Sequence, residues 1–277
     1  MDHTDKITKK GFKIPEHNLR TSITKVEPDK IITRGYSQPD LIGNLSFSDM
    51  IFLLLKGELP DEKQSKIFSH VLVSFADHGV TPPSTQAARI IASSGSPINN
   101  AVAGGLLSFG KSHAGAIEKS MKLLQDSIKT LKLEDKEEDE NKLIAKLAIS
   151  IVNEHMEKNS NIPGFGHRYH HEDPRAAKLL ELSIMEGTVG PHTKLALVIE
   201  SLLFERKGIK MNVDGANAGI LSDLGFDSKL GLGIFMISRV PGLVAHSYEE
   251  IVEEEEFRRF CDLEDITYEG KDFTSFD

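Results

Sequence analysis

Four short segments concentrate the side chains able to move protons or grip anions. They are ADHGVTPPST around His78, GKSHAGA around His113, IPGFGHRYHHEDPR around His167, and KMNVDGANAG around Asp214. Each falls in a break between apolar-periodic stretches, where catalytic groups held by a rigid scaffold concentrate. His78 ends a predicted helix, where the dipole favours a cationic imidazole suited to an anion; the plainer role is a C-cap. His113 precedes a predicted helix, where the dipole disfavours imidazolium. A neutral ring there can donate one hydrogen bond to a carbonyl oxygen that is becoming an enolate, or act as a weak cap. Gly164 and Gly166 flank Phe165 just before His167, so backbone can approach a ligand closely. Arg168 and Arg175 add cationic donors of the kind that grip carboxylates in a fork. Asp214, beside Gly215 at the mouth of a predicted helix, reads as an N-cap or as a general base with room for substrate.

Other chemistries fit less well. His167, His170 and His171 cluster, but neighbouring histidines on one short loop rarely all point at one ion. The one cysteine, Cys261, allows neither an intrachain disulfide nor a thiolate zinc cluster, so no metal is expected. Neither GxxxxGK[ST] nor a strand-linked GxGxxG occurs.

The elements that must position these residues are helical. A helix is predicted through MIFLLLK with Ser48 as its cap and Gly57 as its stop. Residues 62–77 place Ile67, Val71, Leu72 and Phe75 on one face. Pro83-Ser84 opens the next helix. INNAVAGGLLSFG follows it, its Ala101, Ala103, Gly104 and Gly105 leaving room for close contact. Further helices are predicted over 116–131, 142–157, from Asp173-Pro174 onward, and over 193–206. The pattern resumes at Ala216 and Ser228, with Pro241 expected to kink or restart the last helix. LEDKEEDEN reads as a solvated turn. No convincing β-run is present, so the predicted class is all-α. With 33 Lys plus Arg against 42 Asp plus Glu, the net charge of −9 argues against nucleic acid as a partner. The polar start does not read as a signal peptide, and the longest apolar run, Met50 to Leu55, is too short for a bilayer, so a soluble, cytoplasmic protein with no membrane partner is expected.

Taken in order, these segments resemble the citrate synthase superfamily. FLLLKGELPDEK is similar to its early helix-turn signature, and ADHGVTPPSTQAARIIASSG and GGLLSFGKSHAGAIE to the segments with its first two histidines. IPGFGHRYHHEDPRA and NVDGANAGILSDLGF resemble the two remaining catalytic segments, and FMISRVPGLVAHSYEE the final arginine helix. The resemblance runs from about Arg20 to Glu250 in unbroken order. It implies a citrate synthase fold, with a large helical domain over 1–112 and 223–277 and a smaller CoA-binding domain over 113–222, working as a homodimer or a multiple of it.

Carried over by residue, the resemblance assigns His113 to the thioester carbonyl and enolate, Asp214 to the methyl proton, and His167 to the hydroxyl or carbonyl oxygen at the bond made or broken. His78, Arg175 and Arg239 would hold carboxylates, and Ile162, Pro163, Gly164, Phe165 and Gly166, with Arg168, would contact CoA. Coenzyme A enters as part of a substrate, so no cofactor is expected. The DHG at 77–79, NVDG and DITYEG look closer to the citryl-CoA lyases and the C-terminal module of ATP-citrate lyase. No arginine follows Arg259, where synthases end with an Arg-Pro segment; Arg168 or Arg258 is the basic residue that would fill the place. The activity this implies is cleavage of citryl-CoA to acetyl-CoA and oxaloacetate, with a citryl-CoA synthetase as a separate partner. Citrate or 2-methylcitrate synthesis with the same residues is the alternative, and a non-catalytic subunit the third reading.

Overall fold

The computed structural model describes residues 20–134, 139–167, 171–271, 273 and 275. The chain divides into two compact units after Pro60. In the first unit Pro28-Asp29 and Arg34-Gly35 reverse the chain twice, with φ of 58° at Asp29, 50° at Arg34 and 91° at Gly35. Positive φ at both central residues of the second turn is what a tight hairpin with right-twisted strands requires. The product is an antiparallel sheet of β1 (Thr24–Glu27), β2 (Lys30–Thr33) and β3 (Tyr36–Ser37), with Val26 opposite Ile31 and Thr33 opposite Tyr36. This corrects the expectation of no strand. Runs of two to four residues are too short to carry an alternating pattern, and the turn residues are the only cue.

Two helices complete that unit, α1 (Gln38–Asn44) and α2 (Phe47–Lys56). Ser46, not Ser48, caps α2, accepting from the Asp49 amide at 3.1 Å, and Gly57 ends it with φ of 85°.

The second unit is entirely helical among its described residues. It opens with α3 (Glu62–Phe75), started by a reciprocal capping box between Asp61 and Gln64, and Ile67, Phe68, Val71 and Phe75 form its buried face. Next come α4 (Pro83–Ser93) and α5 (Ile98–Leu107). A Cβ at Gly104 would strike Ile91 of α4, and one at Gly105 would sit 3.0 Å from the Ser84 carbonyl oxygen and 3.1 Å from Leu243. The small residues of α5 therefore admit the chain's own neighbouring helices. The long helices α6 (Ala116–Glu134) and α7 (Glu140–Glu157) flank the charge run, whose middle lies outside the described residues. The series ends with α8 (Pro174–Met185), α9 (Pro191–Lys207), α10 (Val213–Asp223) and α11 (Gly231–Glu253).

Packing sorts these helices into two sets. One is α4, α5 and α3 around α11; the other is α6, α8 and α9 around α10, with α7 on α9. They meet where α11 crosses α6 and where α3 reaches α8 and α10. The stretch Ser228–Glu253 is long and apolar enough to cross a membrane by length and composition. Its contacts with α3, α4, α5 and α6 are those of an interior helix. It also runs continuously through Pro241, so the helix does not restart there. Burial of Ile234, Phe235 and Leu243 against these neighbours outweighs the local cost of roughly 3 kcal/mol for an interior proline.

Candidate active site

The seam between the two helix sets carries the polar residues. From the first set, α11 fixes the turn that follows α3 at three successive levels. Arg239 Nε donates to the Phe75 carbonyl at 2.8 Å, Gly242 leaves space for the Ala76 carbonyl, and His246 Nε2 lies 3.0 Å from Asp77 Oδ1. Gly79 donates its amide to Asp77 Oδ2 at 3.0 Å and closes the turn with φ of 70°. His78 is thereby held beside Arg239. By its sequence position His78 reads as a plain C-cap or, through the helix dipole, as a cationic imidazole. Burial instead pushes its pKa below the usual value, and the Arg175 and Arg239 guanidinium charges push the same way. The dipole of one helix end is a weaker influence than burial and two close cations.

His113 sits on a tight reversal in which Gly110 and His113 exchange backbone hydrogen bonds of 2.8 and 3.0 Å. A Cβ on Gly115 would lie 2.7 Å from the Gly110 oxygen, so the reversal needs glycine there. The ring's Nε2 is 2.8 Å from Ser84 Oγ, in the first turn of α4, and the edge of Phe109 packs on it with centroids 5.2 Å apart. Ser84 is fully buried. Along the sequence Ser84 is only part of a helix start, because nothing local links it to a histidine twenty-nine positions on.

The segment before His167 is bolted to the segment that carries Asp214. Gly166 donates to Lys210 O at 2.8 Å, Asn212 donates to Gly164 O at 3.0 Å, and Phe165 bridges to Met211. A Cβ on Gly164 would lie 2.6 Å from Gly215 Cα and 2.7 Å from Ser120 Oγ. Gly164 thus permits contact with protein backbone, where a ligand was anticipated. Ile162 is buried, Gly166 lines the cavity described below, and Arg168 lies outside the described residues, as does His170. Asn212, not Asp214, is the N-cap of α10, accepting from Asp214 N at 2.9 Å and Gly215 N at 3.2 Å. That leaves the Asp214 carboxylate one position inside the helix and unused by the cap.

Asp173 caps α8 with Pro174 behind it, as anticipated, and Arg175 follows two residues after the cap. The six residues His78, His113, His167, Arg175, Asp214 and Arg239 all line one cavity of about 270 Å³, together with Phe235, Asn212 and Lys111. This is close to the lower end of small-molecule sites, about 300–1,000 Å³. The rings of His78 and His167 stack with centroids 5.8 Å apart. Arg239 is 2 % exposed and its Nη1 has no hydrogen-bond partner. A buried guanidinium left so is costly until an acceptor arrives, which suits an anionic ligand. Asp214 Oδ1 is likewise sealed and without a partner. Burial pushes the Asp214 carboxyl up to about 6, with Asp173 adding to the rise and Arg175 and Arg239 opposing it.

Among the described residues no three His, Cys, Asp or Glu side chains converge as a metal-binding group. Arg258, considered as a further carboxylate grip, pairs with Glu250 and with Glu254 at 2.9 Å and is not in the cavity lining.

The family model "Citrate synthase, C-terminal domain" matches residues 61–260. A citrate synthase from Heyndrickxia coagulans is 32% identical over 215 residues, which is 75% of this chain and 53% of that protein. The chain thus spans about half the length of the curated relative it matches. A solved citryl-CoA lyase from Hydrogenobacter thermophilus is 40% identical, with a TM-score of 0.83 covering 94% of this chain and 98% of that one. An ATP citrate lyase from Methanothrix soehngenii, solved with citrate and coenzyme A, shares the fold alone at 22% identity, with a TM-score of 0.76 over 98% of this chain and 44% of that one.

Proposed function

Because this chain belongs to the citrate synthase family, we propose that it is a citryl-CoA lyase, cleaving citryl-CoA to acetyl-CoA and oxaloacetate. The observation that carries the reading is the full-length likeness to a citryl-CoA lyase at 40% identity, spanning 98% of that protein. The cavity supports it with one partly buried carboxyl, three imidazoles and two arginines.

In the proposed reaction, His167 takes the proton of the tertiary hydroxyl of citryl-CoA. The carbinol C–C bond breaks as the hydroxyl oxygen becomes the ketone of oxaloacetate, and the electron pair passes to the thioester as an enolate. His113, held by Ser84, donates a hydrogen bond to that enolate oxygen. Asp214 then delivers its proton to the enolate carbon, giving acetyl-CoA. A carboxyl raised to about 6 retains a usable protonated fraction near neutrality. Arg175 and Arg239 grip the two carboxylates that survive in oxaloacetate, and neutral His78 donates a hydrogen bond beside them. Pro163, Phe165 and Gly166, together with Arg168, are proposed to contact CoA, with Ile162 and Gly164 packing the segment against the protein. The reaction calls for no cofactor, and a separate citryl-CoA synthetase would supply the substrate.

The working form is proposed to be a homodimer in the cytoplasm. Exposed Val73, Leu107, Tyr248, Phe260 and Leu263 supply apolar surface for a second copy. Light scattering that finds an active monomer refutes the dimer.

Citrate synthesis is the second reading, favoured by the 32% identity to a citrate synthase. One assay separates the two. The pure protein is given citryl-CoA, then separately acetyl-CoA with oxaloacetate, and every product is identified. Fast cleavage with little free citrate supports the lyase; rapid, stoichiometric citrate and CoA from the second mixture replaces it with the synthase.

A further inference from the structure

Asp173 does more than end a helix. It is 1 % exposed, and its carboxylate accepts four hydrogen bonds. Oδ1 accepts from the Arg175 amide at 3.1 Å, which is the cap itself, and from Arg175 Nε at 3.0 Å. Oδ2 accepts from Arg175 Nη2 at 2.8 Å and from the amide of Val213 at 3.0 Å, forty positions away on α10. His167 Nε2 lies 4.0 Å from the same oxygen. A cap alone requires one short acceptor and is met by serine or asparagine on the protein surface. Here a full negative charge is buried, which is stable only when matched, and what matches it is the forked guanidinium and the first turn of α10. Against the pull of burial, Arg175 and the Val213 amide hold the Asp173 carboxyl below the usual carboxylate range.

We infer that Asp173 is the positioning residue of this site, locking the Arg175 guanidinium, the α10 turn that bears Asp214, and the charge facing His167 into one rigid unit. The inference rests on the lyase reading for what those three residues do, and on the contacts above for how they are held. A fork held from behind presents Arg175 to a carboxylate at little further entropic cost. The bond to Val213 fixes the residue immediately before Asp214, so a loosened Asp173 moves the proton donor as well. The charge also bears on His167, whose ring stacks on His78 and which shares the cavity lining with Lys111, His113, Arg175, Asp214 and Arg239. Asp173 is the carboxylate held in its charged form beside this group, and a fixed anion nearby favours the imidazolium that forms when His167 takes a proton.

Asp173→Asn keeps the shape and one acceptor but removes the charge and half of the fork. Oxaloacetate affinity, read by calorimetry, is expected to fall about ten- to a hundredfold, as for loss of a charge-assisted hydrogen bond. Acetyl-CoA affinity is expected to stay within about twofold, and turnover of citryl-CoA to fall by more than oxaloacetate binding does. The limb of the pH profile that reports the base is expected to move to lower pH. Combined with Arg175→Lys, the losses are expected to be clearly less than additive. Should Asp173→Asn not fold, Asp173→Glu, which keeps the charge but displaces it by one methylene, is expected to show the same split between the two ligands. Normal oxaloacetate affinity with an unmoved pH limb, or fully additive losses with Arg175→Lys, overturns the inference and leaves a plain helix cap. Wild-type protein that binds oxaloacetate but cleaves no citryl-CoA sinks the lyase reading while the binding arm still judges Asp173. Wild-type protein that binds neither overturns both.

Discussion

His113 Nε2 lies 2.8 Å from the hydroxyl of Ser84, a fully buried side chain in the first turn of α4. The hydroxyl sets which way the ring faces, and the positive end of α4 nearby disfavours a charged ring. A neutral, oriented imidazole is what an enolate donor has to be. Ser84→Ala is therefore expected to lower turnover of citryl-CoA about tenfold, by the loss of roughly 1–1.5 kcal/mol of orientation, while leaving CoA affinity nearly unchanged. Steady-state kinetics beside a CoA titration checks it. Wild-type turnover in the variant would show that the ring is held without the Ser84 hydroxyl.

Asp214 gives a prediction with two readouts. Its carboxyl is raised from 3.8 to about 6 by burial. Between those values the folded state holds a proton that the unfolded chain has lost. Stability from this group is thus full at and below about 3.8 and declines as pH rises towards 6. Asp214→Asn removes that burden, and at pH 7–8 it is expected to stabilise the fold by an amount on the order of 1–3 kcal/mol. The same variant is expected to lose turnover by several orders of magnitude. In wild type, exchange of the acetyl-CoA methyl protons, which needs the carboxylate, is expected to rise with pH through about 6. Thermal unfolding across pH and an isotope-exchange profile test the two halves. A variant no more stable than wild type at pH 8, or one that still exchanges, contradicts the assignment.

Arg239 donates Nε to the Phe75 carbonyl while its Nη1 has no protein partner. Arg239→Leu is expected to weaken oxaloacetate binding by about 1.5–3 kcal/mol, as for a charge-assisted hydrogen bond, and CoA binding much less. Part of the effect will come from the turn at His78, since Arg239 also fixes that turn. Arg239→Lys, which keeps the charge and loses the fork, separates the two contributions. Equal losses for both ligands in both variants would point to a folding defect instead.

Much of this arrangement was legible without coordinates. Helices declare themselves through short-range signals: the apolar face of Ile67, Val71 and Phe75, the stop at Gly57, and the Asp173-Pro174 start all lie within a few residues of what they control. The chemistry-bearing segments were legible too, because breaks between helices hold residues that a packed helix has no use for. The six proposed ligand and proton-transfer residues line one cavity on that account.

What only the tertiary structure decided is how those residues are held and charged. Ser84 reaches His113 across twenty-nine positions, Asp173 reaches Val213 across forty, and Arg239 reaches Phe75 across one hundred and sixty-four. No propensity or cap signal spans such separations. Asn212 took the cap that Asp214 was free to take, and Gly164 met Gly215 where a ligand was expected. The His78 pKa is pushed the other way from the local dipole argument. Desolvation and two guanidinium groups are through-space quantities, fixed by packing and not by neighbours along the chain.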